Sequence, residues 1–547
     1  MSLLLVLFLA ACRDALPPEL PDTSNPPLGL SEDPSLAALS GPRLLRRISL
    51  DLRGVLPTIA ELDAAEIDPS VVNDFAASWI DDPRFEDRLV SMLADQWHTL
   101  IDVMEVDYFD FQLEAEQEYN FERSSGEEPL RLMARIVAEN RSWTEIVTTD
   151  TTVANELLGE IWPIDYPQDE TGWKEVRWTD GRPQAGVLVS NGLWWRYTTN
   201  AFNQNRTRAA AIFRLLVCED YLARPVSFGD LDSSTEDDQA EMILSDPYCL
   251  ACHSAIEPVA ASLFGFWVAR QYSAIEMVQY HPEREPLGPK MTGVDTSWFG
   301  TPIYGLEELG LTIAADPRFG RCATETMIEA LWGRPPEIED IASVTLLHQR
   351  FLDADMRIKP LILAIIESPV YRVGNLTEEA TDSQEDEMTV RMLSPDQMAT
   401  VANDLSGYSW TYAGFEQLRN DGHGYRIMAG GIDGENVTRR QRDPSLTWAL
   451  VSQRLSQATA QYIIDPEIHD VPKPNLLDID ATLVVDNLEY RSQMARLYWR
   501  LLAMRPSESE LNELTALWES IANLDGPESA WQGILSALLQ DPWFLTY

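Results

Sequence analysis

The segment WIDDPRFEDRLVSMLADQW (residues 79–97) decides the fold class, because one helical pattern ends in it and another begins. Its apolar residues recur at helical spacing, which predicts an amphipathic helix with one face in a core. Asp82 and Pro83 stand where this helix would begin. An aspartate at the start of a helix accepts a hydrogen bond from a free backbone N–H. A proline in the first turn costs no hydrogen bond, because a backbone N–H at that position has no partner within the helix. The segment therefore predicts a helix, a sharp turn and a second helix.

The same arrangement recurs along the chain. IAADPRF (313–319), IIESPVY (365–371) and LLQDPWF (538–544) each place a small or acidic residue, a proline and an aromatic after an amphipathic run. Helical periodicity also runs through DRLVSMLADQWHTLIDVM (87–104) and RSQMARLYWRLLAM (491–504), whereas few segments alternate as strands do. We therefore predict a mainly α, multi-domain helical protein.

The N-terminal residues predict export. The apolar run over 3–11 is too short to span a bilayer but has the length of a secretory h-region. LAAC (9–12) resembles a bacterial lipobox, in which the cysteine becomes the lipidated first residue. We expect a signal peptide with a lipobox at 1–12 and a protein anchored in the cell envelope, on the periplasmic or outer surface, by lipid on Cys12. An ordinary signal peptide that happens to contain a cysteine is the alternative.

Length and charge set further bounds. A chain of 547 residues is too long for one core, and about 150 residues per domain gives two to four domains. The chain has 88 acidic and 41 basic residues, a formal net charge of −47. Phosphate groups would be repelled by such a protein, which argues against a nucleic-acid partner.

Composition also suggests the domain limits. NLTEEATDSQEDEM (375–388) has little to bury and predicts a boundary, and the proline-rich residues before position 41 read as a tether. After the signal peptide we predict a tether at 13–40, an N-terminal helical domain at 41–215, a helical domain with the cysteine motif described next at 216–374, an acidic linker at 375–390, and a C-terminal helical domain at 391–547.

The segment DPYCLACHSAIEP (246–258) contains the spacing CxxCH. This is the signature of c-type haem attachment, in which two thiols one helical turn apart add to the haem vinyl groups and the histidine ligates the iron. We therefore predict a covalent haem c on Cys249 and Cys252, with His253 as the axial ligand, in the middle of the helical chain.

Other uses of the motif have weaker support. A zinc site needs four ligands, and a chain with six histidines offers no second CxxC or HxxxH pair. A redox disulfide remains open, although nothing beside the motif suggests the βαβ framework of thioredoxin-like proteins. A chance occurrence also stays open.

The segment YHPEREPLGPKMTGVD (280–295) offers a second axial ligand. Met291 lies in GPKMTG, which looks like the methionine loop of small class I cytochromes c. A thioether ligand would raise the reduction potential relative to a second histidine. Met277 and His281 are the competing ligands, and a loop or core methionine without a metal role is the alternative for Met291.

Of the five cysteines, Cys12 is the predicted lipidation site and the CxxCH pair is the predicted haem attachment site, which leaves Cys218 and Cys322. Thiols outside the cytoplasm tend to oxidise, so we predict a disulfide between these two residues. Both fall in predicted helices, AAAIFRLLVCEDYL (209–222) and PRFGRCATETMIEALWG (317–333), whose apolar faces could pack together. Two separate buried thiols are the alternative.

Several of these segments carry a family resemblance. RRISLDLRGVLPTIAELDA (46–64), NRTRAAAIFRLLVCEDY (205–221), CLACHSAIEPVAASLFGF (249–266) and RMLSPDQMATVANDLSG (391–407) resemble helical domains of unknown function found beside cytochrome c modules in planctomycete and related bacterial secreted proteins. The resemblance implies an exported, largely helical protein with a c-type haem, and it supplies no reaction. The chain lacks the separate N-terminal CxxCH module of the larger relatives, which puts a multihaem relay in doubt.

Two functions from different classes follow. The first is an exported, membrane-anchored monohaem c-type cytochrome-like protein that passes single electrons to an unknown redox or secreted protein partner. No catalytic group is identified, so an oxidase or peroxidase activity is not assigned. The alternative is an envelope-anchored helical interaction or binding protein in which haem is structural or absent.

Overall fold

The computed structural model describes residues 36–104, 111–224, 245–269, 274–376, 391–465 and 477–547. Helices dominate these residues, so the mainly α prediction is confirmed. The predicted signal peptide with Cys12, the tether up to residue 35 and the acidic linker beyond Leu376 lie outside the described residues. A search of the described helices finds none with the length and apolar character needed to span a bilayer.

The helices, numbered in chain order, are Gly41–Leu52 (α1), Ile59–Ile67 (α2), Val71–Trp79 (α3), Arg84–Trp97 (α4), Ala115–Ala138 (α5), Glu156–Ile161 (α6), Asn191–Arg196 (α7), Arg206–Val217 (α8), Pro247–Ser262 (α9), Ala274–Val278 (α10), Gly288–Thr292 (α11), Leu306–Ala315 (α12), Pro317–Trp332 (α13), Ile341–Asp353 (α14), Ile358–Glu367 (α15), Pro369–Arg372 (α16), Pro395–Ser406 (α17), Leu446–Ile464 (α18), Tyr490–Leu502 (α19), Glu508–Leu539 (α20) and Pro542–Leu545 (α21).

The strands are short and pair as antiparallel two-stranded ribbons. They are Leu36–Ala38 (β1) with Val373–Leu376 (β6), Thr151–Ala154 (β2) with Lys174–Arg177 (β3), Ser297–Trp298 (β4) with Thr301–Pro302 (β5), and Thr411–Tyr412 (β7) with Phe415–Glu416 (β8). Short 3₁₀ helices occupy Trp143–Val147, Gly186–Val189, Phe264–Phe266 and Pro282–Leu287.

Aspartate–proline pairs start helices as the sequence predicts. The carboxylate of Asp316 accepts a 2.9 Å hydrogen bond from the backbone N–H of Arg318, and Pro317 is the first residue of α13. Asp82 and Asp541 accept equivalent bonds at the starts of α4 and α21. Ser368 occupies the corresponding position before α16, but its hydroxyl donates back to a carbonyl of α15.

Two predicted helical patterns extend beyond the helices themselves. The pattern over 87–104 continues past Trp97, where α4 ends, and His98 adopts a left-handed conformation with φ 55°. The prediction that Cys218 lies within a helix is wrong, because α8 ends at Val217 and Cys218 has φ 54°. Helices commonly end at a glycine in this left-handed conformation. Here a non-glycine residue adopts it, so the sequence contains no glycine that would mark the helix end.

Two large hydrophobic clusters organise the chain. The first contains buried residues from Leu44 to Tyr371, so the predicted segments 41–215 and 216–374 share one core. The second contains residues from Met392 to Tyr547 together with two from the α1 region. We call residues 36–376 the N-terminal lobe and residues 391–547 the C-terminal lobe.

Helix α1 joins the two lobes through buried polar contacts. Arg46 donates to the backbone carbonyls of Phe544 at 2.6 Å and Thr546 at 2.9 Å. The fully buried carboxylate of Asp51 accepts a 2.6 Å bond from Arg391. Each interaction connects residues more than 300 positions apart, so the first helix of the fold contributes to holding the lobes together.

Candidate functional site

Helix α9 presents the CxxCH residues near its N-terminus. Asp246 caps the helix by accepting a 2.8 Å bond from the backbone N–H of Tyr248, and Pro247 takes the first helical position. This is a further instance of the aspartate–proline start, which the sequence analysis did not include in that set. Cys249, Cys252 and His253 therefore fall at positions i, i+3 and i+4, which share one face of a helix.

The two thiols are free and half-buried. Partial burial raises the pKa of Cys249, and the neighbouring groups of Asp246 and Cys252 raise it further. In thioredoxin-like CxxC sites the attacking cysteine instead has a lowered pKa, which supplies the thiolate. The local electrostatics therefore favour a neutral thiol at Cys249 over a redox nucleophile.

His253 is oriented by a carboxylate one turn further along α9. Its Nδ1 lies 2.6 Å from Oε1 of Glu257, and Arg206 of α8 donates to the same oxygen from 2.6 Å. Burial raises the pKa of Glu257, but the hydrogen bonds from His253 and Arg206 outweigh this effect and the pKa is lowered overall. When Glu257 is ionised, it accepts a hydrogen bond from the N–H group at Nδ1 of His253. This tautomer leaves Nε2 as the nitrogen with a lone pair.

Among the described residues, none forms a hydrogen bond with Nε2 of His253. Metal-bound histidines use one ring nitrogen as ligand and donate the other N–H to a carboxylate or carbonyl. The His253–Glu257 pair therefore leaves Nε2 available as a ligand atom, as a metal-binding histidine would require.

Exposed apolar side chains occur on α9 and on segments that contact α9 or its neighbours. Tyr248 is 74% exposed, Leu222 is 78% exposed and Phe202 is 77% exposed. Phe202 is linked to the site because its carbonyl accepts a hydrogen bond from Arg206. Leu222 lies two residues before Arg224, whose guanidinium reaches the carbonyl of Ala251 at 3.4 Å. Of the three, Tyr248 is the residue next to Cys249 in the chain.

The predicted second ligand lies on an element that packs against α9. Met291 is in α11, which contacts α9 through Gly288, where a Cβ atom would meet the carbonyl oxygen of Ala261 at 2.0 Å. Ala261 is eight residues after His253, about 12 Å along the helix. Met291 is 37% exposed.

The two competing ligands are placed differently. Met277 is buried in a small cluster with Trp162 and Trp195. His281 has both ring nitrogens within hydrogen-bond distance of an oxygen, Nδ1 with Glu283 and Nε2 with the carbonyl of Glu276, each at 3.1 Å. Met277 is thus buried and both ring nitrogens of His281 have oxygen partners, whereas Met291 is partly exposed.

Cys218 and Cys322 form the disulfide that the sequence predicts. Their Sγ atoms are 2.06 Å apart and their Cα atoms 5.2 Å apart. The bond joins the end of α8 to α13 and closes a loop that contains α9 and α11. The segment with the CxxCH motif is therefore fixed at both ends by covalent structure.

Metal sites built only from protein side chains are not found in the part of the chain that the structure describes. No group of three or more His, Cys, Asp or Glu side chains there could hold a metal ion. The alternative of a zinc site at Cys249 and Cys252 thus gains no further ligands from the fold.

Comparison with known proteins gives no relative. No family model, no curated protein and no solved structure matches this chain. The resemblance to planctomycete-type secreted proteins stays a prediction from sequence motifs.

Sequence reasoning missed the second half of the candidate site. Glu257 could have been found, because SAIEP places an acid four residues after His253 and therefore on the same helical face. Arg206 could not, since its contact with Glu257 depends on how α8 packs against α9.

Proposed function

We propose that the protein is an exported, membrane-anchored monohaem c-type cytochrome-like protein that transfers single electrons. The observation that carries the proposal is the hydrogen bond from Nδ1 of His253 to Glu257, which leaves Nε2 as the ligand atom beside two free cysteines. A chance CxxCH has no need of a buried carboxylate that fixes the tautomer of its histidine.

The residues of α9 have separate tasks in this proposal. Cys249 and Cys252 would each add S–H across a vinyl group to form a thioether, and His253 would hold the iron from one side. A bound haem c supplies a one-electron couple between ferric and ferrous iron. Tyr248, which is exposed and next to Cys249 in the chain, would be available to cover an apolar cofactor there.

Met291 is the proposed second axial ligand. It is partly exposed and lies on α11 beside α9, whereas Met277 is buried and both nitrogens of His281 are engaged. A Met291→Leu variant should lose the near-infrared charge-transfer band of a methionine-ligated ferric haem. An unchanged spectrum would remove Met291 from the site.

The lipid anchor on Cys12 is proposed from the LAAC motif alone. A Cys12→Ser variant should be released from the membrane fraction or remain unprocessed. Unchanged membrane fractionation of this variant would count against lipidation at this position.

Covalent haem tests the central proposal. The full chain would be exported in a bacterial host with a c-type maturation system, separated on a denaturing gel and stained for haem, with spectra recorded in both redox states. Wild type and His281→Ala should stain, whereas the Cys249→Ala/Cys252→Ala variant should not. Absence of a Soret band in the wild-type protein would overturn the proposal and leave the helical interaction protein as the alternative.

A further inference from the structure

A second candidate site lies away from α9, between the two lobes. A cavity of about 630 Å³ is bounded by α4 and α5 on one side and by residues 394–432 on the other. Seven arginines and five acidic residues line it, whereas acidic residues outnumber basic ones two to one in the whole chain. Arginines therefore outnumber acidic residues in this wall, the reverse of the balance in the whole chain.

Six of the seven arginines already have a carboxylate partner. The pairs are Arg53 with Glu61, Arg84 with Asp82, Arg123 and Arg131 with Glu127, Arg419 with Asp396, and Arg426 with Asp421. Glu127 is shared by two arginines, and Arg131 pairs with Asp87 as well, so each of the six guanidinium groups has a carboxylate partner.

Arg88 differs from the other six. It is only 6% exposed, and its Nε has no hydrogen-bond partner. No hydrogen bond or ion pair joins its guanidinium to another residue that the structure describes. Its stem lies close to Gly54, where a Cβ atom would be 3.7 Å from Cδ of Arg88. Leaving a buried N–H donor without an acceptor is costly, so this position favours an acceptor from outside the chain.

Two nearby acidic groups interact with Arg88 electrostatically without bonding to it. The charge of Arg88 helps to lower the pKa of Asp396, whose carboxylate accepts hydrogen bonds from Nε of Arg419 at 2.6 Å and from the hydroxyl of Ser91 at 2.7 Å. The charge of Arg88 also acts on Asp95, which pairs with Arg440 at 3.6 Å. Among the described residues neither carboxylate forms a hydrogen bond or ion pair with Arg88, so its N–H donors stay available to a ligand.

We propose that this cavity binds a small ligand with an oxyanion group, a carboxylate or a sulfate, and that Arg88 holds that group with two N–H donors. The planar guanidinium matches such oxyanions bidentately. The volume is in the range of small-molecule sites. The five acidic residues of the wall would repel a polyanion and accept hydrogen bonds from ligand hydroxyls, so the ligand carries one or two negative charges.

Direct binding to the full-length protein tests this site. Sulfate and glucuronate would be titrated calorimetrically into wild type, with glucose as the neutral counterpart of glucuronate. Wild type should bind at least one of the two anions, and glucose should not bind. Sulfate binding alone would identify an inorganic anion, and glucuronate binding would identify a hydroxylated acid. No binding of either anion at millimolar concentration, or equal binding of glucose, would overturn the proposal.

Substitution of Arg88 tests its role. Arg88→Met should weaken anion binding at least tenfold, whereas the exposed Arg505, paired with Asp63 and Glu66 outside the cavity, should be replaceable by Gln without effect. Wild-type affinity in Arg88→Met would refute the assignment. If that variant does not fold, selenate can be soaked into crystals of the wild-type protein. The proposal requires its anomalous peak to lie within hydrogen-bond distance of Arg88, and a peak elsewhere would refute it.

Discussion

Nδ1 of His253 and Oε1 of Glu257 are 2.6 Å apart, and the other carboxylate oxygen of Glu257 is buried and has no hydrogen-bond partner among the residues that the structure describes. The pair lies one helical turn apart on α9, so the same helix provides both the proposed ligand and the group that orients it. A negative charge next to an axial histidine strengthens its donation to iron and lowers the reduction potential.

Replacing Glu257 by Gln should raise the reduction potential of the haem-loaded protein while covalent haem is retained. The amide keeps a hydrogen-bonding group near His253 but removes the negative charge. Spectroelectrochemical titration measures the change. Glu283→Gln is the matched control, because Glu283 lies 3.1 Å from a ring nitrogen of His281 outside the motif. Identical potentials in the two variants would contradict the role of Glu257.

Glu128 should make stability depend on pH. Burial raises its pKa to about 7, against the opposing effect of hydrogen bonds from Thr152 and Gly192. The raised pKa means that the neutral form is favoured in the folded protein. Its stabilising contribution is full below pH 4.5, falls between pH 4.5 and 7, and is absent at higher pH. The shift of this pKa from 4.5 to about 7 corresponds to roughly 3 kcal/mol in the free energy of unfolding.

Glu128→Gln should therefore leave stability nearly unchanged at pH 5 and increase it at pH 8. Urea unfolding at the two pH values measures the effect. Glu118→Gln on the same helix serves as the control and should shift neither midpoint. If the Glu128 variant loses stability equally at both pH values, titration of this carboxyl is not the cause.

The Cys218–Cys322 disulfide should contribute substantially to stability. Closing a loop between residues separated by 104 positions is worth about 4 to 5 kcal/mol in the chain-entropy model. The Cys218→Ala/Cys322→Ala variant should unfold at lower temperature than wild type, and dithiothreitol should lower the wild-type midpoint but not that of the variant. Recovery of both cysteines as alkylated, unlinked peptides from native protein would show that the bond does not form.

Asp51→Asn should destabilise the protein more than any surface ion-pair variant. It leaves the buried guanidinium of Arg391 without its counter-charge, a change that costs about 3 to 5 kcal/mol. Asp63→Asn is the control, because Asp63 pairs with Arg505 at the surface and such pairs contribute about 0 to 1 kcal/mol. Thermal unfolding followed by circular dichroism compares them. Equal midpoints would mean that the buried pair does not join the lobes.

Local sequence rules predicted the helical fold well. Asp316 with Pro317 marked a helix start correctly because capping depends on residues that are neighbours in the chain. The stop at Cys218 was missed, since nothing in its side chain announces a left-handed backbone. Periodicity describes which face of a helix is apolar, and it does not locate the last residue.

The candidate sites divide in the same way. Cys249, Cys252 and His253 are recognisable from spacing, and Glu257 follows from the helical repeat. The cavity around Arg88 was not predicted, because it forms where α4 of one lobe meets residues 394–432 of the other. In the sequence Arg88 is one of many arginines, and only the packing of distant segments leaves it without a partner.

The position of α1 between the lobes also sets an order of events during synthesis. Arg46 is made early, yet its partners, the carbonyls of Phe544 and Thr546, are added about 500 residues later. At about 5 to 20 residues per second the ribosome needs roughly 25 to 100 s to reach them. During that interval the guanidinium of Arg46 lacks these two native acceptors. The contacts of α1 with the end of the C-terminal lobe can therefore form only after nearly the whole chain has been translated.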